Sequence, residues 1–150
     1  MQSFEIRESL DVYAPRRAVK KLAAEIGFRN DCCTELAIVV SELVSNVVKY
    51  GVSGSIGFER LLHADHGSGM LIVATDIGPP FHDLDLALRD GYNDRGPIDP
   101  GTLLRRGGLG TGLGAVVRLT DSFRVEYATA QKSIVVERFL KRPRRPAIAP

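Results

Sequence analysis

The chain has 150 residues, of which 44% are hydrophobic and 25% are charged, and its 20 basic and 18 acidic residues leave a net charge of +2. This length suits one domain with one sizeable core, and so small a net charge does not indicate a nucleic-acid-binding surface. Apolar runs are shorter than the roughly 18 residues of a membrane span, and no leader peptide follows Met1, so we expect a cytoplasmic protein without a membrane role.

Two regions depart from an average composition. Eight of the 15 glycines fall between Gly91 and Gly114, although glycine is usually spread thinly through a domain. Residues 141–150 contain four basic residues and three prolines, and without them the chain has 16 basic against 18 acidic residues. The composition therefore predicts a slightly acidic domain, residues 1–140, and a basic tail, residues 141–150, that is disordered and available to a partner.

The first third of the chain is predicted to contain one strand and two helices. Residues 4–10 alternate apolar and polar side chains, which predicts a half-buried strand. A helix is expected from near Pro15 to Gly27, because proline is favoured in the first helical turn and glycine just after the last one. Residues 32–50 carry apolar side chains at helical spacing, which predicts a second helix that ends at Gly51.

The rest of the chain contains four β-like runs and two helical ones. Both pairs of β-like runs are expected to be antiparallel, the first pair being joined by a turn-rich segment. These runs span residues 55–62, 70–75, 123–127 and 133–140. Helices are predicted over residues 83–89 and 113–119. The order of elements favours one mixed sheet with helices packed on one of its faces.

Two polar residues of the second helix, Glu42 and Asn46, lie together at one edge of its apolar stripe. At about 100° per residue, side chains four positions apart are separated by only about 40° around the helix. A carboxylate and a carboxamide at the border of a core can provide oxygen ligands to a metal and a base for a water or hydroxyl. The alternative interpretation is an ordinary polar pair on the exposed helix surface.

A second candidate is the carboxylate at the end of a predicted strand. Asp76 follows the apolar residues 71–74 and precedes the sequence Ile77-Gly78-Pro79-Pro80. A carboxylate in this place can accept a hydrogen bond from an exocyclic amine, and the glycine leaves room for a flat ligand. A simple Asp-Gly-Pro turn after a strand is the alternative.

A third candidate is the glycine-rich run 107–114, which leads directly into the helix predicted over 113–119. Glycines let the backbone approach an anion closely, and free amides at a helix start present donors to a phosphate. The run is not a P-loop, because no Gly-Lys-Ser/Thr follows it. Residues 110–115 fit a dinucleotide fingerprint, but no buried strand precedes them, so a Rossmann context is excluded and a flexible loop remains the alternative.

In this order, the motifs Glu42-x-x-x-Asn46, Asp76-x-Gly78 and the glycine run resemble the GHKL ATPase family, which includes gyrase, histidine kinases and MutL. The resemblance covers residues 5–140. It implies an α+β fold, a two-layer sandwich with a mixed, mainly antiparallel sheet and helices on one face.

Within the family, residues 41–46, 108–113 and 117–123 resemble the bacterial anti-sigma serine/threonine kinases. The chain looks most similar to the RsbT-type switch kinases of the stressosome.

The resemblance implies a role for each candidate residue, with ATP and Mg²⁺ as cofactors. Asn46 matches the asparagine that helps to hold Mg²⁺, and Glu42 matches the glutamate proposed as general base. Asp76 matches the aspartate that accepts the adenine amino group, and Gly78 matches the glycine that lets adenine lie close. The loop that wraps the triphosphate corresponds to Gly108, Leu109, Gly110, Thr111, Gly112, Leu113 and Gly114.

Residues 90–106 correspond to the lid that closes over ATP. Arg105 is assigned to phosphate binding, and Arg95 and Arg106 are further candidates, with a solvated loop face as the alternative for all three. Pro80 stands where the family often has the second glycine of Asp-x-Gly-x-Gly. This departure weakens the motif without removing adenine binding.

Two functions with the same fold and site remain open. The first is a protein serine/threonine kinase that phosphorylates a STAS-type antagonist and a scaffold homologue in a partner-switching stress response, and then binds a downstream phosphatase or signalling enzyme. The second is an anti-sigma factor that sequesters a sigma factor in a nucleotide-dependent way. A dinucleotide-dependent enzyme is disfavoured by the missing strand, and homodimer formation stays open.

Histidines and cysteines are expected to have no catalytic or metal-binding role. His63 and His66 lie on a predicted turn without a third ligand, which does not suggest zinc. The adjacent Cys32 and Cys33 are expected to be unpaired, buried packing residues, which suits a reducing compartment.

Overall fold

A five-stranded antiparallel sheet forms one layer of the protein. The computed structural model describes residues 1–50, 53–81, 84–88, 92–93, 96–97 and 112–143. The strands are β1 (Gln2–Ile6), β2 (Gly54–His63), β3 (Gly67–Asp76), β4 (Tyr92–Asn93), β5 (Gly96–Pro97), β6 (Ser122–Ala128) and β7 (Gln131–Phe139). The sheet has the order β1-β2-β3-β7-β6, and β4 pairs with β5 in a separate ladder.

Helices form the second layer. They are α1 (Tyr13–Ile26), α2 (Asn30–Tyr50), α3 (Leu84–Ala87) and α4 (Leu113–Leu119). Helices α1 and α2 pack on one face of the sheet, α4 packs against α2, and α3 contacts β4. The predicted α+β two-layer architecture is confirmed. Each of the five ladders among the described strands is antiparallel. The parallel pairs that a mixed sheet would contain are absent among these strands.

The first strand is shorter than predicted, because the chain turns after Ile6. Residues 9–12 form a 3₁₀ helix where the alternating pattern predicted further strand. The carboxylate of Asp11 accepts hydrogen bonds from the backbone N–H groups of Arg7, at 2.8 Å, and Glu8, at 3.0 Å. These bonds cap the 3₁₀ helix and hold the pKa of Asp11 below its usual range.

The other predicted elements lie close to their observed positions. Helix α1 is followed by Gly27 as expected, and α4 has the predicted bounds. The hairpin of β2 and β3 is longer than predicted, since only residues 64–66 remain in its turn. The helix predicted over 83–89 is observed as α3, while residues 83 and 89 lie outside the described part of the chain.

The core lies between α2 and the sheet. Helix α2 buries its predicted apolar stripe, and the sheet contributes alternate residues of its central strands. The fully or almost fully buried residues of this layer include Leu36, Val40, Leu43, Val47, Ile56, Phe58, Ile72, Ile134 and Val136. Burial of these side chains is the main stabilising contribution to the fold.

Two arginines tie the end of the domain to the C-terminus of α4. Arg138 donates to the backbone oxygen of Leu119 at 2.8 Å and to Glu35 on α2 at 2.8 Å. Arg142 donates to the backbone oxygens of residues 118 and 120 and pairs with Asp121 at 2.8 Å. The backbone carbonyls at the C-terminus of α4 therefore accept hydrogen bonds from cations. Positive charge at a helix C-terminus stabilises the helix, because it offsets the negative end of the helix dipole. Residues 144–150 lie outside the described part of the chain.

Both cysteines are free, as expected. Cys33 is buried, and its burial raises the pKa of the thiol, whereas Cys32 is half-buried and accepts a hydrogen bond from Arg138. Among the helices described, none combines the length and the apolar character that crossing a bilayer requires.

Gly54, at the start of β2, lies where atoms of α2 and β3 come too close for any side chain to fit. A Cβ at this position would lie 2.3 Å from the backbone oxygen of Thr75, 2.7 Å from Cγ1 of Val47 and 3.1 Å from Cβ of Asp76. Such contacts are too short for any side chain, so α2 and β3 can meet here only across a glycine.

We therefore expect Gly54→Ala to lower the free energy of unfolding by about 2 kcal/mol or more, because backbone or helix must move to admit the methyl group. Gly57→Ala in the same strand is the matched control. Its Cβ would mainly meet the flexible side chain of Met1, so we expect a change within about 0.5 kcal/mol. Urea unfolding of both variants measures the difference, and equal stabilities would contradict the packing described.

Candidate functional site

Asp76 lies on the inner face of the sheet, at the end of β3. Burial alternates along this strand, and Met70, Ile72, Ala74 and Asp76 are the residues on its buried side. The carboxylate therefore continues an apolar series, and the residue is only 2% exposed. A charged group in this place has a large desolvation cost unless it is paired and hydrogen-bonded.

Both described interactions of the Asp76 carboxylate are made by the same oxygen. Oδ1 accepts a hydrogen bond from the backbone N–H of Gly78 at 2.8 Å and forms an ion pair with Nζ of Lys132 at 3.1 Å. Within the described part of the chain, Oδ2 makes no hydrogen bond. The predicted strand-end carboxylate is thus buried and pre-oriented by Gly78, with one oxygen available as an acceptor.

Glu42 and Asn46 are both buried on α2, at 3% and 4% exposure. This burial contradicts the alternative of an exposed polar pair. The buried face of α2 is wide enough to include the edge of the apolar stripe, where the sequence predicts these two residues to lie. Nδ2 of Asn46 has no hydrogen-bond partner among the described residues. A buried amide nitrogen without a hydrogen bond in the described part of the chain has an energetic cost, which a bound ligand could offset.

Helix α2 and the end of β3 converge at Gly54. Val47, the neighbour of Asn46 in the sequence, and Asp76 both approach this glycine, as the short Cβ distances show. The second half of α2 therefore lies over the strand end that carries Asp76. Two sequence motifs that are about 30 residues apart are brought to one end of the molecule.

The start of α4 lies against the same helix. Gly112 precedes α4 with φ 69° and ψ −148°, a backbone conformation that residues with a Cβ rarely adopt. Leu113 and Gly114 are buried in the first turn, and α4 packs against α2. The C-terminal part of the glycine run is thus placed beside the helix that carries Glu42 and Asn46.

Several predicted site residues lie outside the described part of the chain. They are Arg95, Arg105, Arg106, Gly108, Leu109, Gly110 and Thr111. Of the segment predicted to be a lid, residues 92–93 and 96–97 are described, and they form the short ladder of β4 and β5.

Sequence reasoning missed Lys132, the partner of Asp76. Lys132 lies directly opposite Asp76 in the ladder of β3 and β7. It is the first member of an inward-facing series that continues with Ile134 and Val136. The period-two pattern of β7 could have revealed a lysine on the buried face, but its partner depends on the strand register.

No group of three or more His, Cys, Asp or Glu side chains suited to bind a metal is present among the described residues. His63 and His66 stack on each other, with ring centroids 4.6 Å apart, and both rings contact Phe139. The two histidines therefore cover an aromatic residue at the end of the sheet remote from Asp76.

A family profile described as the histidine kinase-like ATPase domain matches residues 7–138. Among curated proteins, the chain is 34% identical over 114 residues to the serine/threonine-protein kinase RsbT of Bacillus subtilis. That match covers 75% of this chain and 76% of the relative.

Two solved structures share the fold. The crystal structure of the RsbU and RsbW domains of a Mycobacterium tuberculosis protein has a TM-score of 0.55 and 18% identity, covering 97% of this chain and 34% of that one. The SiaB–SiaC complex from Pseudomonas aeruginosa has a TM-score of 0.52 and 13% identity, covering 92% of this chain and 89% of that one. With the profile match over most of its length, the chain belongs to the histidine kinase-like ATPase family.

Proposed function

We propose that this protein is an ATP-dependent protein serine/threonine kinase that acts in a partner-switching pathway. The observation that carries the proposal is the burial of Glu42, Asn46 and Asp76 around one end of α2 and β3. Polar groups are uncommon in a buried apolar layer, and each of these three belongs to a motif of the family. The 34% identity to a protein named as a serine/threonine kinase supports the type of reaction.

ATP would be recognised at its base by Asp76 and at its phosphates by the glycine run. Oδ2 of Asp76 accepts a hydrogen bond from the adenine amino group, while Oδ1 stays bound to Gly78 and Lys132. Leu113 and Gly114 at the start of α4 complete the loop that encloses the triphosphate, together with residues 108–112. Arg105 is proposed to contact the phosphates.

The residues on α2 fit a magnesium site. Mg²⁺ in such sites is bound by one or two protein oxygens together with substrate phosphates, and Oδ1 of Asn46 is a hard oxygen ligand of this kind. Nδ2 of Asn46 makes no hydrogen bond in the described part of the chain. The amide is therefore not held by a described structural partner at that end. When bound, Mg²⁺ would neutralise charge on the phosphate oxygens.

Phosphoryl transfer would use Glu42 as the general base. The hydroxyl oxygen of a partner's serine or threonine attacks the γ-phosphorus of ATP, its proton passes to Glu42, and the bond to the β-phosphate oxygen breaks to release ADP. The chain's contribution is positioning and electrostatic stabilisation by the loop amides.

The proposed substrates are proteins. We propose a STAS-type antagonist and a scaffold homologue as phosphorylation substrates, and a downstream phosphatase or signalling enzyme as the partner bound afterwards. One structural neighbour was solved as a complex with a second protein, which supports a partner-binding role for this fold. A cytoplasmic location and a stress-response pathway are part of the same proposal.

Glu42→Gln should reduce phosphotransfer from ATP to a STAS-type protein of the same genome by about 100-fold or more, because the amide cannot accept the proton. ATP binding should stay within about threefold of the unchanged protein. Glu25→Gln, at an exposed position of α1, is the matched control. Transfer of labelled phosphate is measured for the unchanged protein and for both variants.

Asp76→Asn should weaken ATP binding by about tenfold or more in the same series, since it removes a charge-assisted hydrogen bond. Unchanged ATP affinity would refute the assigned base site. ATP binding without transfer to any candidate partner, but with nucleotide-dependent capture of a sigma factor, would instead support the sequestering function.

Asn46→Leu separates stability from function, because leucine keeps the branching of asparagine and removes an amide nitrogen that has no hydrogen bond to the described residues. We expect the free energy of unfolding without nucleotide to stay equal or rise by about 1 kcal/mol. Binding of ATP in the presence of Mg²⁺ should fall by about tenfold or more. Urea unfolding and calorimetric titration measure the two effects, and a clear loss of stability would show that Asn46 is structural.

A further inference from the structure

We propose that Lys132 is a positioning residue that sets the preference of the site for adenine, an inference that rests on the proposed ATP-binding function. Lys132 holds Asp76 and the turn that follows it in one arrangement. As a result, the carboxylate presents a single acceptor oxygen to the base.

Two oxygens and an aromatic ring surround the Lys132 ammonium group. Nζ lies 3.1 Å from Oδ1 of Asp76 and 2.8 Å from the backbone oxygen of Pro79, and it lies 4.9 Å from the centroid of the Phe81 ring. An ammonium group has three N–H bonds and no acceptor. These contacts direct the ammonium group toward Asp76 and the turn after it, so its influence on a ligand passes through Asp76.

Burial makes this arrangement rigid. The side chains of Lys132 and Asp76 are each 3% exposed, and their backbones are paired across β3 and β7. Removing one partner would leave the other charge buried and uncompensated. The ammonium group also links the strand to residues 79 and 81, which form the turn after Asp76.

The arrangement selects for a hydrogen-bond donor on the base. Gly78 and Lys132 both occupy Oδ1, so Asp76 cannot rotate to present its oxygens differently without losing these bonds. An exocyclic amine satisfies Oδ2, whereas a base without that amine leaves it unsatisfied. To turn toward a carbonyl on the base, Lys132 would have to give up its contacts with Asp76 and Pro79.

Next to this pair lies a cavity of about 390 Å³, lined by Gly78, Pro80, Tyr127, Gln131 and Lys132 among others. Gln131 is exposed and lines the same cavity. It has no hydrogen bond or ion pair with Asp76, whose described partners are Gly78 and Lys132. Gln131→Met is therefore a matched control for a change of volume and polarity beside Lys132.

The test compares the affinities for ATP and for purine riboside triphosphate, which lacks the 6-amino group, by calorimetric titration. The unchanged protein and Gln131→Met should prefer ATP by about tenfold or more. Lys132→Met should lose most of this preference, while its affinity for the amine-free analogue changes little. A purely structural role would weaken both nucleotides equally, and this result would overturn the inference.

Two further variants keep the test decisive. Lys132→Gln retains a hydrogen-bond donor without the charge and should lose part of the preference; it carries the same comparison if Lys132→Met does not fold. Asp76→Asn reports on the proposed function itself. If Asp76→Asn still prefers ATP over the amine-free analogue, the assigned base site is wrong. If Asp76→Asn loses this preference but both Lys132 variants keep it in full, only the role of Lys132 is overturned.

Discussion

The packing of α2 against the sheet is the contact on which the rest of the structure depends. This helix contacts the sheet, α1 and α4, and its apolar stripe supplies much of the buried surface. The same helix carries Glu42 and Asn46, so the candidate catalytic groups are mounted on the buried side of a helix. Sites on such elements keep their geometry better than sites on loops.

Charged side chains are buried at both ends of the inner face of the sheet, and apolar residues fill the space between them. At one end, Lys132 faces Asp76, and at the other, Arg138 bridges Glu35 and the end of α4. The arginine network joins elements of secondary structure and has a structural role. The lysine pair instead organises a single side chain and a turn, and leaves one carboxylate oxygen unused.

Most of the fold could be predicted because its helices and strands have clear periodicities. The apolar residues of α2 and the alternation in β3 and β7 indicate both their type and their buried faces. The early end of β1 could not be predicted from alternation, since it depends on the hydrogen bonds of a single side chain, Asp11. Local capping competes with strand formation there.

The candidate site was predictable in its residues but not in its contacts. Asp76, Glu42 and Asn46 stand in motifs that a single sequence reveals, and their burial follows from their position in periodic elements. Lys132 is remote in the sequence, and its role depends on the pairing of two strands, which no local pattern contains. Register is set by the complete sheet, so the partner of a buried charge appears only in the assembled structure.

The anchoring of Arg142 has a geometric consequence for the chain that follows. Lys132, the second residue of β7, lies opposite Asp76, and the strand ends seven residues later at Phe139, a span of about 24 Å at the usual rise of a strand. Arg142 then fixes the chain beside the end of α4. The proposed base-binding residue Asp76 and the anchored Arg142 thus lie toward opposite ends of β7.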